Sequence, residues 1–223
     1  MSVFKHVESG KRFFFIHIPR TAGRFIELNL KAEGWEWENV NEDIKLTRLL
    51  NLNGPPAMYD SVEGIEIAHF HKELYKKYFD IKDIPHIAII RNPIDRFISS
   101  SVWLNRHRHA TQQQIENSFS SALSSLLDDP NFPESINWFR SQIDFISDKT
   151  HLWRFEDGIG DKFSNWISNI VGVNIKMNPT LRYWVSDDAT FWANKFKKTD
   201  TLVNNIKTFY KKDISKFYKE INE

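Results

Sequence analysis

The sequence predicts an α/β fold in which a central, mostly parallel sheet is flanked by helices. Apolar runs too short for helices recur along the chain, and each is followed by a stretch of helical periodicity. No Gly/Ser linker, low-complexity tract or internal repeat breaks that alternation. Strands alternating with helices are the pattern of parallel strands joined by crossovers. With 223 residues, 41% of them apolar, the chain can close one substantial core, so a single domain over residues 1–223 is expected.

The first strand is expected over residues 12–18, a nearly unbroken run of Phe and Ile that ends at Pro19 and suits burial on both faces. Residues 22–32 should form the following helix, with Phe25, Leu28 and Ala32 on its apolar face and Gly34 as its stop. Residues 65–70 predict a second strand leading into a helix over 72–79, and residues 85–90 a third strand that runs into Arg91. Helical pattern then extends from Ile94 through Trp103, over 112–127, and over 133–146, with Asp128-Asp129-Pro130 as a break. A fourth strand is expected over 150–155, and helices around 161–170, 187–196 and 201–221.

Composition excludes several classes. Thirty basic residues against 29 acidic ones leave a net charge of +1, so no global field marks a nucleic-acid or membrane-surface binder. The absence of cysteine removes disulfides, thiolate metal sites and thiol nucleophiles, and agrees with a reducing compartment. The N-terminal stretch lacks the apolar centre of a signal peptide, and no apolar run approaches the roughly 20 residues that a membrane helix needs. A cytoplasmic protein with neither nucleic-acid nor membrane partner is expected.

Two segments carry chemistry. In His17-Ile18-Pro19-Arg20-Thr21-Ala22-Gly23-Arg24 a buried strand meets a helix N-terminus, where free N–H groups and the helix dipole favour a phosphate or sulfate. Thr21 offers a hydroxyl, Gly23 a close backbone approach, and Arg20 and Arg24 guanidinium groups that can grip an oxyanion in two places. The same residues also suit a proline-broken turn with two solvated arginines. The Gly-x-x-x-x-Gly-Lys-Ser/Thr pattern of nucleoside-triphosphate P-loops is missing. In Arg91-Asn92-Pro93-Ile94-Asp95-Arg96-Phe97-Ile98-Ser99, Pro93 suits the first position of a helix. Ser99 then falls about two turns beyond Arg91, too far for direct contact but suited to an extended anion. A capped helix start with Asp95 and Arg96 in solvent is the plainer alternative.

Phe15 to Gly23 resembles the 5′-phosphosulfate loop of the carbohydrate-type sulfotransferases, for which Ile-His-Ile-Pro-Lys-Thr-Ala-Gly-Thr-Ser is a typical wording. Arg91 to Ser99 is similar to their second signature, Arg-Asn/Asp-Pro-x-x-Arg-x-x-Ser. Less specific similarity, at Trp153-Arg154-Phe155-Glu156-Asp157 and from Phe209 to Phe217, extends the resemblance over nearly the whole chain. The resemblance implies a P-loop-like sulfotransferase fold using 3′-phosphoadenosine 5′-phosphosulfate as donor co-substrate without a metal. Arg20, Thr21, Ala22, Gly23 and Arg24 would hold the 5′-phosphosulfate, and Arg91 and Ser99 the 3′-phosphate.

The chain departs from that pattern in two places. Arg20 stands where the family has lysine, so it would act by charge rather than by giving up a proton, and Arg24-Phe25 replaces a pair of hydroxyl residues. The resemblance assigns the base that takes the acceptor's proton to a histidine at the second strand end. His69 is the candidate and His71 the alternate; two histidines alone would more often be structural, and a two-histidine metal site is the lesser alternative.

The expected acceptor is a hydroxyl of a saccharide or small metabolite; its identity and the oligomeric state leave no short motif. Two rival readings stand beside this one: a nucleotide-binding module of the same fold with its chemistry decayed, and a small P-loop-like kinase. Arg106-His107-Arg108-His109 suits an acidic acceptor or a solvated helix end, and the tryptophans, Trp35, Trp37, Trp103, Trp184 and Trp192 among them, suit ring stacking or, for most, the core.

Overall fold

A computed structural model describes residues 1–38, 61–62, 65–105, 138–181 and 198–222, with isolated positions between 113 and 124. The expected helix over 187–196, Arg106 to His109, Trp184 and Trp192 lie outside the described residues. The chain divides into two compact units, residues 1–90 with 144–182, and residues 91–143 with 183–223.

The first unit is built on a five-stranded sheet of β1 (Ser2–His6), β2 (Arg12–Ile16), β3 (Trp35–Glu38), β6 (His86–Ile90) and β7 (Thr150–Arg154), in the order β3-β1-β2-β6-β7. β2, β6 and β7 run parallel, and β1 is antiparallel to both its neighbours. The sheet is therefore mixed, and the expected α/β class holds. β2 and β6 lie inside it and read as continuous apolar runs, Phe13 to Ile16 and Ile87 to Ile90, because both their faces are covered.

On one face Phe13, Phe15, Ile87 and Ile89 pack with Ile26 and Leu30 of α1 (Gly23–Ala32) and with Phe163, Ile167 and Val171 of α4 (Asp161–Val171). On the other, Phe14 meets Tyr75 of α2 (Lys72–Tyr78) edge-on at 5.0 Å between ring centroids, and Phe79 just beyond it at 5.4 Å. Two helix layers thus sandwich the sheet.

Several expectations are corrected. No strand is expected from the sequence at Ser2–His6 or Trp35–Glu38, yet both join the sheet. In Trp35-Glu36-Trp37-Glu38 the alternation of apolar and charged residues is itself the signal of a strand with one buried face. Trp35 is fully buried against Phe13 as core, not as a stacking platform. The α1 helix turns Ile26 and Leu30 fully inward; of the expected Phe25, Leu28 and Ala32, Phe25 packs half-buried against the same core, Leu28 is half-buried and Ala32 is exposed.

Residues 65–70 do not form a strand of the main sheet. Among the described residues Ile65–Glu66 (β5) pairs only with Ser61–Val62 (β4), and Ile67–His69 is a 3₁₀ turn. Ile67 to Phe70 are all buried without alternation, and for so short a run hydrophobicity does not distinguish a buried strand from a buried turn.

The second unit packs α3 (Pro93–Asn105), α5 (Asp200–Phe209) and α6 (Lys211–Phe217) around Phe97, Val102, Phe139, Ile206 and Tyr210. The helix expected over 201–221 is broken at Tyr210, whose dihedrals (φ −91°, ψ 24°) leave the helical region where its hydroxyl donates to the Phe139 carbonyl at 2.6 Å. Within the expected 133–146 helix, the described residues from Trp138 on form 3₁₀ turns and irregular chain instead. Among the described residues no helix is long and apolar enough to cross a membrane.

Candidate functional site

Residues 17–22 carry the chain from the end of β2 to the start of α1. Arg20 and Ala22 both have φ of 67°, in the left-handed region that costs a non-glycine residue about 1 kcal/mol, while Thr21 between them and Gly23 after them stay outside it. Two left-handed residues two positions apart bend the loop sharply just before the helix starts. Ala22 is the N-cap of α1 and offers no side-chain cap, and no acidic residue occupies the first turn. The positive end of the helix thus has no side-chain acceptor from its own cap.

The loop's side chains divide between structure and solvent. Thr21 is fully buried and donates its hydroxyl to the Ile18 carbonyl at 2.8 Å. Its only side-chain proton is therefore spent inside the loop rather than presented to an anion. Arg20 is half-buried. The Arg24 side chain is 43% exposed, with Nη1 3.6 Å from the Glu27 carboxylate. Phe25, which stands where the resembled family has a hydroxyl, packs against the core of the sheet's helical face.

Gly23 serves a purpose that its sequence context does not reveal. A Cβ placed there would come within 2.0 Å of the His17 ring, so the glycine makes room for an imidazole rather than for an anion alone. That ring cannot swing away. His17 is 6% exposed, its Nδ1 lies 2.9 Å from Glu27 Oε1, and it meets His69 in a T-shaped contact at 4.9 Å between centroids and 74° between planes. A carboxylate only accepts hydrogen bonds, so Nδ1 carries the proton and Nε2, on the side facing Gly23, is the acceptor in the neutral ring.

His69 ends the 3₁₀ turn at Ile67–His69 and is 4% exposed. The Met1 ammonium donates to the carbonyls of Ile67 and Ala68, which pins that turn. His69 thus lies beside the loop, held by a turn rather than by the strand end expected from the sequence. His71 is the buried N-cap of α2, without a side-chain cap bond. The residues that sequence reasoning missed are His17 and Glu27. The available signal was a carboxylate at position 27 flanked by Ile26 and Leu28, on a helix next to a buried strand.

The second segment belongs to the other unit and is described by itself. Asn92 caps α3, its Oδ1 accepting from Ile94 N at 2.9 Å and from Asp95 N at 3.4 Å, and Pro93 is the first helical residue, as expected. Arg91 and Ser99 are both half-buried. Arg96 is not solvated: it is fully buried, donating to the carbonyls of Trp138, at 3.1 Å, and Arg140, with its guanidinium over the Tyr210 ring. Asp95 pairs with Lys198 at 2.6 Å. In the Arg-x-Pro-x-x-Arg pattern the trailing arginine is therefore a structural strut.

Comparison of the chain with protein-family models, with curated proteins and with solved structures finds no match. The functional reading accordingly rests on the residues and their geometry.

Proposed function

We propose that the protein is a sulfotransferase that moves a sulfuryl group from 3′-phosphoadenosine 5′-phosphosulfate to a hydroxyl of a saccharide or small metabolite in the cytoplasm. The observation that carries the reading is the sharply bent loop with left-handed Arg20 and Ala22, leading into an α1 N-terminus without a side-chain cap and lying next to buried histidines. An anion at that place is met by oriented N–H dipoles that need no rearrangement as charge develops.

In this reading the α1 N-terminus with Thr21, Ala22 and Gly23, together with Arg20, holds the 5′-phosphosulfate, Arg24 reaches it from the first turn of α1, and the 3′-phosphate falls to Arg91 and Ser99 on the likeness of their motif. The acceptor oxygen attacks sulfur in line with the bridging oxygen. Its proton passes to His69 as the new O–S bond forms, and the bond pair of the breaking O–S bond leaves with adenosine 3′,5′-bisphosphate. Arg20 stabilises the departing charge without donating a proton, which suits a weakly basic leaving group. Glu27 and His17 frame His69 from the side of the loop.

One observation favours the second reading, a binding module that holds the nucleotide without chemistry. Thr21 turns its hydroxyl inward and Phe25 packs into the core, so two hydroxyl contributions to the phosphosulfate are missing. A single-turnover experiment with radiolabelled donor and a panel of hydroxyl acceptors separates the two. Label appearing on an acceptor together with stoichiometric bisphosphate supports the transferase, and bisphosphate binding with no label transferred to any acceptor supports the module. Binding of ATP in preference to the bisphosphate, with a need for magnesium, would point to the kinase instead.

A further inference from the structure

Within the second unit the irregular chain from Trp138 to Ile143 has its backbone polar groups gripped by buried side chains. Arg96 and Tyr210 take the carbonyls of Trp138, Phe139 and Arg140. The fully buried Asp213 carboxylate accepts from Ser141 Oγ at 2.6 Å, Gln142 N at 2.8 Å and Ile143 N at 3.0 Å. Buried polar groups outside regular structure must find partners of this kind, so the segment is held in one conformation.

That conformation aims Gln142 at Arg91. Gln142 is fully buried, and its amide spans the Arg91 backbone: Arg91 N donates to Oε1 at 2.9 Å and Nε2 donates to Arg91 O at 2.8 Å. A primary amide bonded to both the N–H and the C=O of one residue imitates the pairing of a neighbouring strand, just where β6 has ended at Ile90. Arg91 is thereby fixed at its backbone although it follows the last residue of the sheet.

We propose that Gln142, itself held by Asp213, is the positioning residue that sets the Arg91 guanidinium to read the 3′-phosphate of the donor. The inference rests on the donor reading given above for Arg91. Gln142 does not touch the ligand; it acts through the Arg91 backbone, from which the guanidinium is carried.

The test is calorimetric titration of the full chain with adenosine 3′,5′-bisphosphate and with adenosine 5′-monophosphate, which lacks the 3′-phosphate, for wild type, Gln142→Ala, Arg91→Ala and the double variant. The isosteric Gln142→Glu replaces the amide donor to Arg91 O with an acceptor and serves if Gln142→Ala does not fold. The expected result is a roughly tenfold loss of bisphosphate affinity in either Gln142 variant, little change for the monophosphate, and no further loss when the substitution is added to Arg91→Ala. Bisphosphate affinity unchanged in the Gln142 variants, an equal loss for both nucleotides, or additive losses in the double variant would each overturn the positioning role and leave the donor reading standing. Equal affinity of the wild type for the two nucleotides, or none for either, would instead overturn the donor reading of Arg91, and the positioning role with it.

Discussion

His17 donates its Nδ1–H to Glu27 Oε1 across 2.9 Å, and the far edge of the same ring occupies the space that any side chain at position 23 would need. One buried imidazole therefore ties the end of β2 to the second turn of α1 and dictates the residue at the helix start. Gly23→Ala should destabilise the fold by about 1–3 kcal/mol, because the ring is held by Glu27 and His69 and cannot yield. Thermal or urea denaturation reads this directly, and an unchanged midpoint would show that the ring moves freely.

Glu27 is 5% exposed and is the acceptor for the His17 Nδ1–H. Glu27→Ala leaves that donor buried without its acceptor, a loss of about 1–3 kcal/mol. Glu27→Gln keeps an acceptor of the same length and gives up only the charge, so it should fall between alanine and wild type. The ordering of the urea midpoints, rather than either value alone, is the check.

Backbone strain and charge can be separated at Arg20. Arg20→Gly relieves the left-handed strain and should raise stability by up to about 1 kcal/mol while removing the guanidinium. Arg20→Ala removes the charge and keeps the strain. Both should lose donor binding to a similar degree in titration, yet differ in melting temperature, with the glycine variant the higher.

His69→Ala should lower turnover by ~10²–10⁴-fold if the ring is the base, with nucleotide affinity little changed. His71→Ala should leave turnover close to wild type. Steady-state rates with an acceptor found in the single-turnover panel decide between them, and a normal rate for His69→Ala would remove it from the mechanism.

Stability at high pH should follow the buried tyrosines. Burial pushes the Tyr75 phenol up from 10 to about 12, with Ser147 beside it pulling the other way and Glu73 adding to the rise. Burial raises Tyr210 too, against the pull of Arg96. Between about pH 10 and pH 12 the unfolded chain has released these protons and the folded chain keeps them. The unfolded state then binds fewer protons, so stability falls as pH rises; below about pH 10 the contribution is complete and flat. Urea midpoints across this range should drop, and Tyr75→Phe should make the drop shallower.

Much of the sheet's helical wrapping was legible from the sequence because β2, β6 and β7 each end in a helix or turn marked by Pro, Arg or Gly. What escaped was set by tertiary partners. β1 has only five residues, Ser2–His6, and owes its place to the hairpin closed at Gly10, where φ is 68°. Tyr210 breaks a helix that its neighbours in sequence would continue, because its hydroxyl has a partner 71 residues away. At the candidate site, motif spacing picked out Arg20, Arg91 and Ser99, but not that Thr21 would spend its hydroxyl internally or that Gly23 would shelter His17. Those contacts lie only three and six residues apart, but they depend on the backbone turn between them, which no residue pattern spells out.

The division of the chain has a consequence for how the protein is made. Residues 1–90 lack β7 and α4 until residues 144–182 have been synthesised, and residues 91–143 await α5 and α6 from the last stretch of the chain. As the nascent chain emerges, β6 keeps one long edge open while the whole intervening segment is translated. A cut at 90 or 143 leaves both units incomplete, and one at 182 completes only the first, so fragments ending at these places should need chaperones or aggregate, and expression trials belong with the whole 223-residue chain.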